Sequence, residues 1–202
     1  MKVRHLVLAA LAASSFSAHA ALVNYAPWDT TYPNIAGVQF NVNTSNGVTV
    51  AMGAHAFKNG VSLPNDGIST YYAKSGLYEP LRANWSFDFA WNLENCSTCT
   101  VQLLVDKDPT IGVDFVTLLS TAAGAAPLYE SWNMEMNFMD SDVYNFDPYS
   151  ASSTAFRLQV SDANGVLVAS DITVNVPEPG SIALLGAGLL GVGAMLRRRK
   201  KA

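Results

Sequence analysis

Basic residues are almost absent from the middle of the chain. Of the 12 Lys and Arg side chains, seven lie in the two terminal segments and only five lie between residues 21 and 178, where all 16 acidic residues are found. That segment therefore has a net charge of −11. Such a surface as a whole repels nucleic acid and other anionic polymers, because it lacks the basic area that phosphate groups require. We therefore expect a soluble, acidic body that does not bind nucleic acid.

The segment from residue 21 to residue 176 also lacks sustained helical periodicity. Short alternating runs take its place, such as Trp85 to Trp91 and Phe156 to Val160, and pairs such as Asn46-Gly47 and Asn164-Gly165 separate them. Asn-Gly favours a tight type I′ hairpin turn, in which both central residues have positive φ. This pattern predicts a single all-β domain over residues 21–176, an antiparallel β-sandwich.

Two further segments have weaker signals. Trp132 to Phe138 alternates apolar and polar side chains, which predicts another strand with Met134 and Met136 on its buried face. Leu118 to Ala126 is the only weak helical candidate between the terminal segments.

The N-terminus has the composition of a secretory leader. Lys2 and Arg4 precede an apolar stretch from Leu6 to Ala13, and Ala18-His19-Ala20 places small residues at positions −3 and −1 of a cleavage site. We predict that residues 1–20 are a signal peptide that signal peptidase removes between Ala20 and Ala21. The alternative is an N-terminal anchor that is not cleaved.

The C-terminus combines a Pro-rich hinge, an apolar run and a basic cluster. Pro177-Glu178-Pro179 precedes the run from Ile182 to Leu196. At a rise of about 1.5 Å per residue, a helix of this length spans about 25 Å, close to the thickness of a bilayer core. The sequence thus predicts a transmembrane helix over residues 181–196, and the positive-inside rule places the cations that follow it in the cytoplasm as a stop. These cations are Arg197, Arg198, Arg199, Lys200 and Lys201.

This three-part tail resembles the bacterial PEP-CTERM sorting signal, with Pro177-Glu178-Pro179 in the place of its motif. The resemblance covers residues 177–202 and implies recognition and removal of the tail by an exosortase, a membrane-embedded cysteine protease-transpeptidase. It also implies a Gram-negative host that produces exopolysaccharide. It carries no information about residues 21–176, and an ordinary single-span anchor remains the alternative.

Cysteine is limited to one pair, Cys96 and Cys99, between two predicted strands. Exported proteins meet an oxidising compartment, and a four-residue turn brings its end Cα atoms within about 7 Å, so we expect a disulfide. A redox-active pair is normally placed at a helix N-terminus, and a zinc site would need two more ligands. His55 is the only histidine of the exported segment and is expected to be a satisfied polar residue.

Two groups of residues could contact a ligand, although neither identifies one. The acidic side chains at Asp106, Asp108, Asp140, Asp142 and Asp147 do not match an EF-hand, so no metal or other cofactor is assigned. Trp85, Trp91 and Trp132 occupy core-facing positions, whereas Trp28, Tyr71 and Tyr72 lie in turn-rich segments and are candidates for exposed contacts with a glycan.

No catalytic constellation accompanies these features, so we expect a protein without enzymatic activity. The predicted role is a structural or adhesive component associated with exopolysaccharide, present in the inner membrane as a precursor and later at the cell surface or in the extracellular matrix. The alternative is a carbohydrate-binding module that uses exposed aromatic side chains.

Overall fold

A computed structural model describes residues 21–24, 37–94, 96–108, 112–136, 138–139, 146–178 and 180. Twelve strands lie within these ranges and no helix does. The strands are β1 (Val23–Asn24), β2 (Gln39–Ser45), β3 (Val48–Ala56), β4 (Thr70–Tyr72), β5 (Leu77–Glu79), β6 (Arg82–Ala83), β7 (Trp85–Leu93), β8 (Thr100–Asp106), β9 (Phe115–Ser120), β10 (Leu128–Asn133), β11 (Ser152–Asp162) and β12 (Gly165–Val176). The all-β prediction is therefore confirmed.

Ten of these strands form two five-stranded sheets. The first has the order β1-β2-β3-β7-β10 and the second the order β4-β12-β11-β8-β9, while β5 and β6 form a small separate hairpin. The pairing is antiparallel, as predicted, except that β4 runs parallel to β12 from Thr70 beside Thr173 to Tyr72 beside Asn175. This short parallel pair attaches the loop region before β5 to the last strand of the domain.

Side chains alternate between the two faces of β7 and β11, and the aromatic ones on the inner faces fill the space between the sheets. Phe87 of β7 stacks on Phe156 of β11 with ring centroids 4.4 Å apart, and Trp85 meets the same Phe156 edge-on. Trp85 and Trp91 are almost completely buried, as the sequence predicts. Burial of such rings supplies most of the apolar area that holds two sheets together.

Both predicted hairpins are present, but their turns differ. Asn46 and Gly47 have φ angles of 51° and 78°, the conformation that a type I′ turn requires. In the β11–β12 hairpin the two-residue turn is formed by Ala163 and Asn164, and Gly165, with φ of 123°, is already the first residue of β12. The turn therefore lies one residue earlier than predicted, because the Asp162 carboxylate accepts the Asn164 N–H at 2.7 Å and a register shift follows Val160.

Two assignments were wrong. Leu118, Leu119 and Ser120 belong to β9, paired with β8, and the following residues form a loop instead of a helix. The strand predicted from Trp132 to Phe138 ends at Asn133, and Phe138, expected on the buried face, is 58% exposed. Strand β10 ends at Asn133, where side-chain hydrogen bonds replace the backbone bonds of a ladder. The Asn133 side-chain oxygen accepts the N–H of Ala83 and of Glu135, and its amide donates to the Trp85 carbonyl.

The terminal predictions fall mostly outside this part of the chain. The signal peptide up to Ala20, the helix at 181–196 and the basic cluster at 197–201 lie outside the described residues. No helix within the described ranges has the length and hydropathy needed to cross a membrane.

Candidate functional site

The sorting tail begins at the point where the folded sheet ends. Val176 pairs with Ser152 of β11 and is 3% exposed, whereas Pro177 and Glu178 are exposed. Proline lacks the N–H that a further ladder bond would need, so the strand stops here. Pro177 and Glu178 therefore lie outside the sheet and are accessible to a protease, while Pro179 is outside the described residues.

The residues beside this strand end come from β4. Tyr72 is the pairing partner of Asn175, and the N–H of Ala73 donates to the Asn175 carbonyl at 2.9 Å. Because successive strand side chains point to opposite faces, Tyr71 and Tyr72 have opposite environments. Tyr72 is 47% exposed, as expected for a contact residue, but Tyr71 is fully buried.

Tyr71 is thus a correction to the expected set of exposed aromatic residues. Its hydroxyl donates to the Gln39 carbonyl at 2.6 Å and ties β4 to β2 of the other sheet. Burial raises the pKa of the Tyr71 phenol well above its ordinary value, and the charges of Asp88 and Asp66 add to this effect. Trp28, the third expected contact residue, lies outside the described residues.

An open groove with a volume of about 810 Å³ lies beside Tyr72. It is lined by the start of β2, the end of β3, the loop from Phe57 to Asn65, and β4 and β5 with the residues next to them. Tyr72 and Tyr78 are 47% and 51% exposed, and Phe57 packs edge-on against Tyr78 with ring centroids 5.5 Å apart. We call this feature the Tyr72–Tyr78 groove.

Side-chain amides shape the polar part of the groove. The Asn65 amide donates to the Gln39 side-chain oxygen at 2.8 Å and to the Leu63 carbonyl at 3.0 Å. The Asn84 side-chain amide donates to the Ser75 carbonyl at 2.8 Å, and the Asn84 backbone carbonyl accepts the Phe57 N–H. These bonds tie down the loops on both sides of the groove.

The charge of the groove contrasts with that of the rest of the protein. No Asp or Glu is found among its described lining residues, and its one charged lining residue is Lys74. Lys58, Lys107 and Arg157 each pair with a carboxylate, whereas Lys74, like Arg82, forms no ion pair with a described residue. The groove therefore combines half-exposed tyrosines, amides and an ammonium group that has no ion-pair partner among the described residues.

The cysteine pair lies in the turn that leads from β7 of the first sheet to β8 of the second. Cys96 and Cys99 are disulfide-bonded with Cα atoms 5.4 Å apart. Gly124 packs directly on this turn, where an added Cβ would lie 2.6 Å from the Ser97 carbonyl oxygen. Strands flank the pair, and Cys99 is completely buried.

His55 belongs to a buried polar network. Its Nδ1 lies 2.7 Å from Asp88 Oδ2, and the Tyr129 hydroxyl donates to Asp88 Oδ1 at 2.9 Å. Asp88 is fully buried and His55 is 6% exposed. The histidine is thus a satisfied polar side chain, and none of the described Ser or Thr hydroxyls forms a hydrogen bond with it. The absence of enzymatic activity stays a prediction.

The acidic loops form turns. Asp106 Oδ1 accepts the N–H of Asp108 and of Asp114, and Asp147 Oδ1 accepts the Tyr149 N–H. Hydrogen bonds from Ser150 and Tyr149 lower the pKa of Asp147. No group of three or more His, Cys, Asp and Glu side chains within the described ranges is placed to hold a metal ion; Asp140 and Asp142 lie outside those ranges.

Most of the groove was missed from the sequence. Tyr78, Lys74 and Asn84 come from the stretch between β4 and β7, which has no clear hydrophobic period. The sequence feature that could have indicated the groove is the density of turn residues at Asn59-Gly60 and Asn65-Asp66-Gly67. Turn-rich loops with aromatic residues form the contact surfaces of many rigid scaffolds.

The comparisons with known proteins identify the C-terminal segment alone. The family model of the PEP-CTERM protein-sorting motif matches residues 175–200. No curated protein and no solved structure matches the chain. The match begins at Asn175, the residue paired with Tyr72, so the last two residues of β12 belong both to the folded body and to the matched segment.

Proposed function

Because the chain carries a PEP-CTERM motif, which marks an exported, exosortase-sorted protein of the cell surface, we propose that it is a structural or adhesive component of the extracellular matrix associated with exopolysaccharide. The observation that carries this proposal is the junction at Val176. The sheet is complete at that residue and the motif follows at once, so removal of the tail leaves an intact body.

The character of the described body supports a non-catalytic role. Its histidine is bound in a buried network, its cysteines are joined, and its described acidic loops are engaged in turns. An antiparallel two-sheet body of this kind acts as a rigid support for surface loops. Signal peptidase, exosortase and exopolysaccharide are the partners in this proposal, with the inner membrane holding the precursor transiently.

Replacement of Pro177, Glu178 and Pro179 by Ala tests the sorting step. The variant should keep its tail and accumulate in the inner membrane, because the motif is the recognition site for the exosortase. Cell fractionation followed by intact-mass measurement gives the location and the C-terminal residue.

A matched control is the replacement of Ser152 and Ser153 by Ala, since both residues lie beside the end of β12 and outside the motif. This control should be released like the wild type. Release of the motif variant at the wild-type rate, or a mature wild-type protein that still ends at Ala202, would contradict the proposal.

A second candidate, a carbohydrate-binding module, is favoured by the Tyr72–Tyr78 groove. Exposed aromatic faces and amides in one concave surface are the groups that pack on sugar rings and bind their hydroxyls. Tyr72 retains its expected role in this candidate, whereas Tyr71 is removed from it by burial.

A further inference from the structure

We propose that the Tyr72–Tyr78 groove binds an acidic saccharide, with the carboxylate of a uronic acid residue at the Lys74 ammonium group. The inference builds on the carbohydrate-binding candidate and adds the chemical class of the ligand. It starts from the unusual composition of the groove within a strongly acidic protein.

The groove differs in local charge from the body around it. Between residues 21 and 178 acidic side chains outnumber basic ones by 16 to five, yet the described lining of the groove contains Lys74 and no carboxylate. The Lys74 side chain is exposed and has no described ion-pair partner. An ammonium group without a partner offers three hydrogen-bond donors to an incoming anion.

Two tyrosine rings form the wall of the groove around Lys74. Tyr72 precedes Lys74 by two residues, and Tyr78 stands on β5 with its ring supported by Phe57. The hydroxyls of Tyr72 and Tyr78 form no hydrogen bond with a described residue. Two half-exposed rings with available hydroxyls fit a pyranose chain, which presents both C–H faces and hydroxyl groups.

The net charge of the body favours a sparse acidic ligand over a dense one. At physiological salt, exposed charges farther apart than about 8 Å are largely screened, so contact-range charges determine local attraction. A densely charged polymer such as nucleic acid would also extend over the acidic surface around the groove and be repelled by it. A saccharide with separated carboxylates can place one carboxylate at Lys74 and its neutral rings along the tyrosines.

The test measures binding of full-length protein in detergent to immobilised oligosaccharides, so its outcome does not depend on sorting. Oligomers of galacturonate, glucuronate and mannuronate are each compared with the carboxyl-reduced, neutral form of the same oligomer. We expect at least one acidic oligomer to bind more tightly than its neutral form. Lys74→Gln should lower that affinity about fivefold, as for an exposed ion pair.

Tyr72→Ala and Tyr78→Ala should each lower binding of both forms about tenfold, through loss of ring stacking. Lys107→Gln is the control, because Lys107 is an exposed lysine paired with Asp114 in a different loop. Thermal unfolding curves verify that each variant is folded.

The outcomes separate the two proposals. Equal binding of acidic and neutral oligomers that is lost in Tyr72→Ala overturns the acidic class and leaves a carbohydrate-binding groove. An absence of saccharide binding overturns both. Equal losses in Lys74→Gln and Lys107→Gln also overturn the inference, because the attraction would then arise from overall charge.

Discussion

At the scale of single residues, Asp66 is the side chain that fixes the loop beside the groove. Its Oδ1 accepts the N–H groups of Ile68, Ser69 and Thr70 at 2.8, 2.9 and 3.0 Å. Slight burial opposes the charge, but these hydrogen bonds outweigh it and lower the pKa of Asp66 from 3.8 to about 2. The carboxylate therefore favours the folded state in its ionised form.

This shift predicts a pH-dependent difference between wild type and Asp66→Asn. A depressed folded-state pKa adds stability above the unfolded value of 3.8, and this contribution is lost as pH falls through about 2. The wild type should be modestly more stable than the variant, by a constant amount above pH 5, and the difference should shrink between pH 4 and pH 2. Thermal unfolding of both proteins across this range measures it; a difference that is independent of pH would show that the charge is not involved.

At the scale of elements, the disulfide closes the crossing from one sheet to the other. Cys96 and Cys99 hold the turn between β7 and β8, and Gly124, with φ of 71°, brings the loop before β10 against it through an N–H bond to the Cys99 carbonyl. The two connections thus support each other at one end of the molecule.

Replacement of both cysteines by Ser should lower the free energy of unfolding by about 2 kcal/mol, the loop-closure contribution of a four-residue ring. Urea denaturation of the variant, and of wild type with and without a reductant, measures this loss. The reductant should leave the variant unchanged. Two thiols detected by alkylation of the denatured, unreduced wild type would refute the disulfide.

The elements also show where sequence patterns suffice. Trp85 to Leu93 was predictable because its large side chains alternate, as expected for an inner strand that has a partner on each side. The end of β10 was not, because it depends on two hydrogen bonds between the Asn133 side chain and the backbone of Ala83, 50 residues earlier in the chain: Asn133 accepts the Ala83 N–H and donates to the Ala83 carbonyl. The burial of Tyr71 similarly depends on a distant partner, Gln39.

The groove was least predictable for the same reason. Its tyrosines and Lys74 are separate in sequence from Gln39 and Asn65, and the parallel pairing of β4 with β12 that holds Tyr72 in place gives no local signal. A hairpin can be predicted from residues that are adjacent in sequence, whereas a surface built from five segments can be predicted only from the complete fold.

At the scale of the whole molecule, β12 determines where the chain can be shortened. A chain truncated after Val176, with its signal peptide retained, should give a soluble, folded periplasmic domain, because Val174 and Val176 complete the core. A protein ending at Thr173 should be less stable by about 3–6 kcal/mol, since it loses two buried valines and the bond from Ala73 to Asn175. Thermal unfolding compares the two, and equal stability would show that the end of β12 is dispensable.

The junction at Val176 also has a consequence for the order of events during export. If residues 181–196 span the membrane as predicted, the linker 177–180 allows residue 181 to lie at most about 17 Å from Val176, less than the diameter of a body of this size, about 30–40 Å. The end of β12 would then stay close to the lipid headgroups until the cut. Exosortase cleavage would therefore release the body from the membrane surface and let it turn and diffuse freely in the same step.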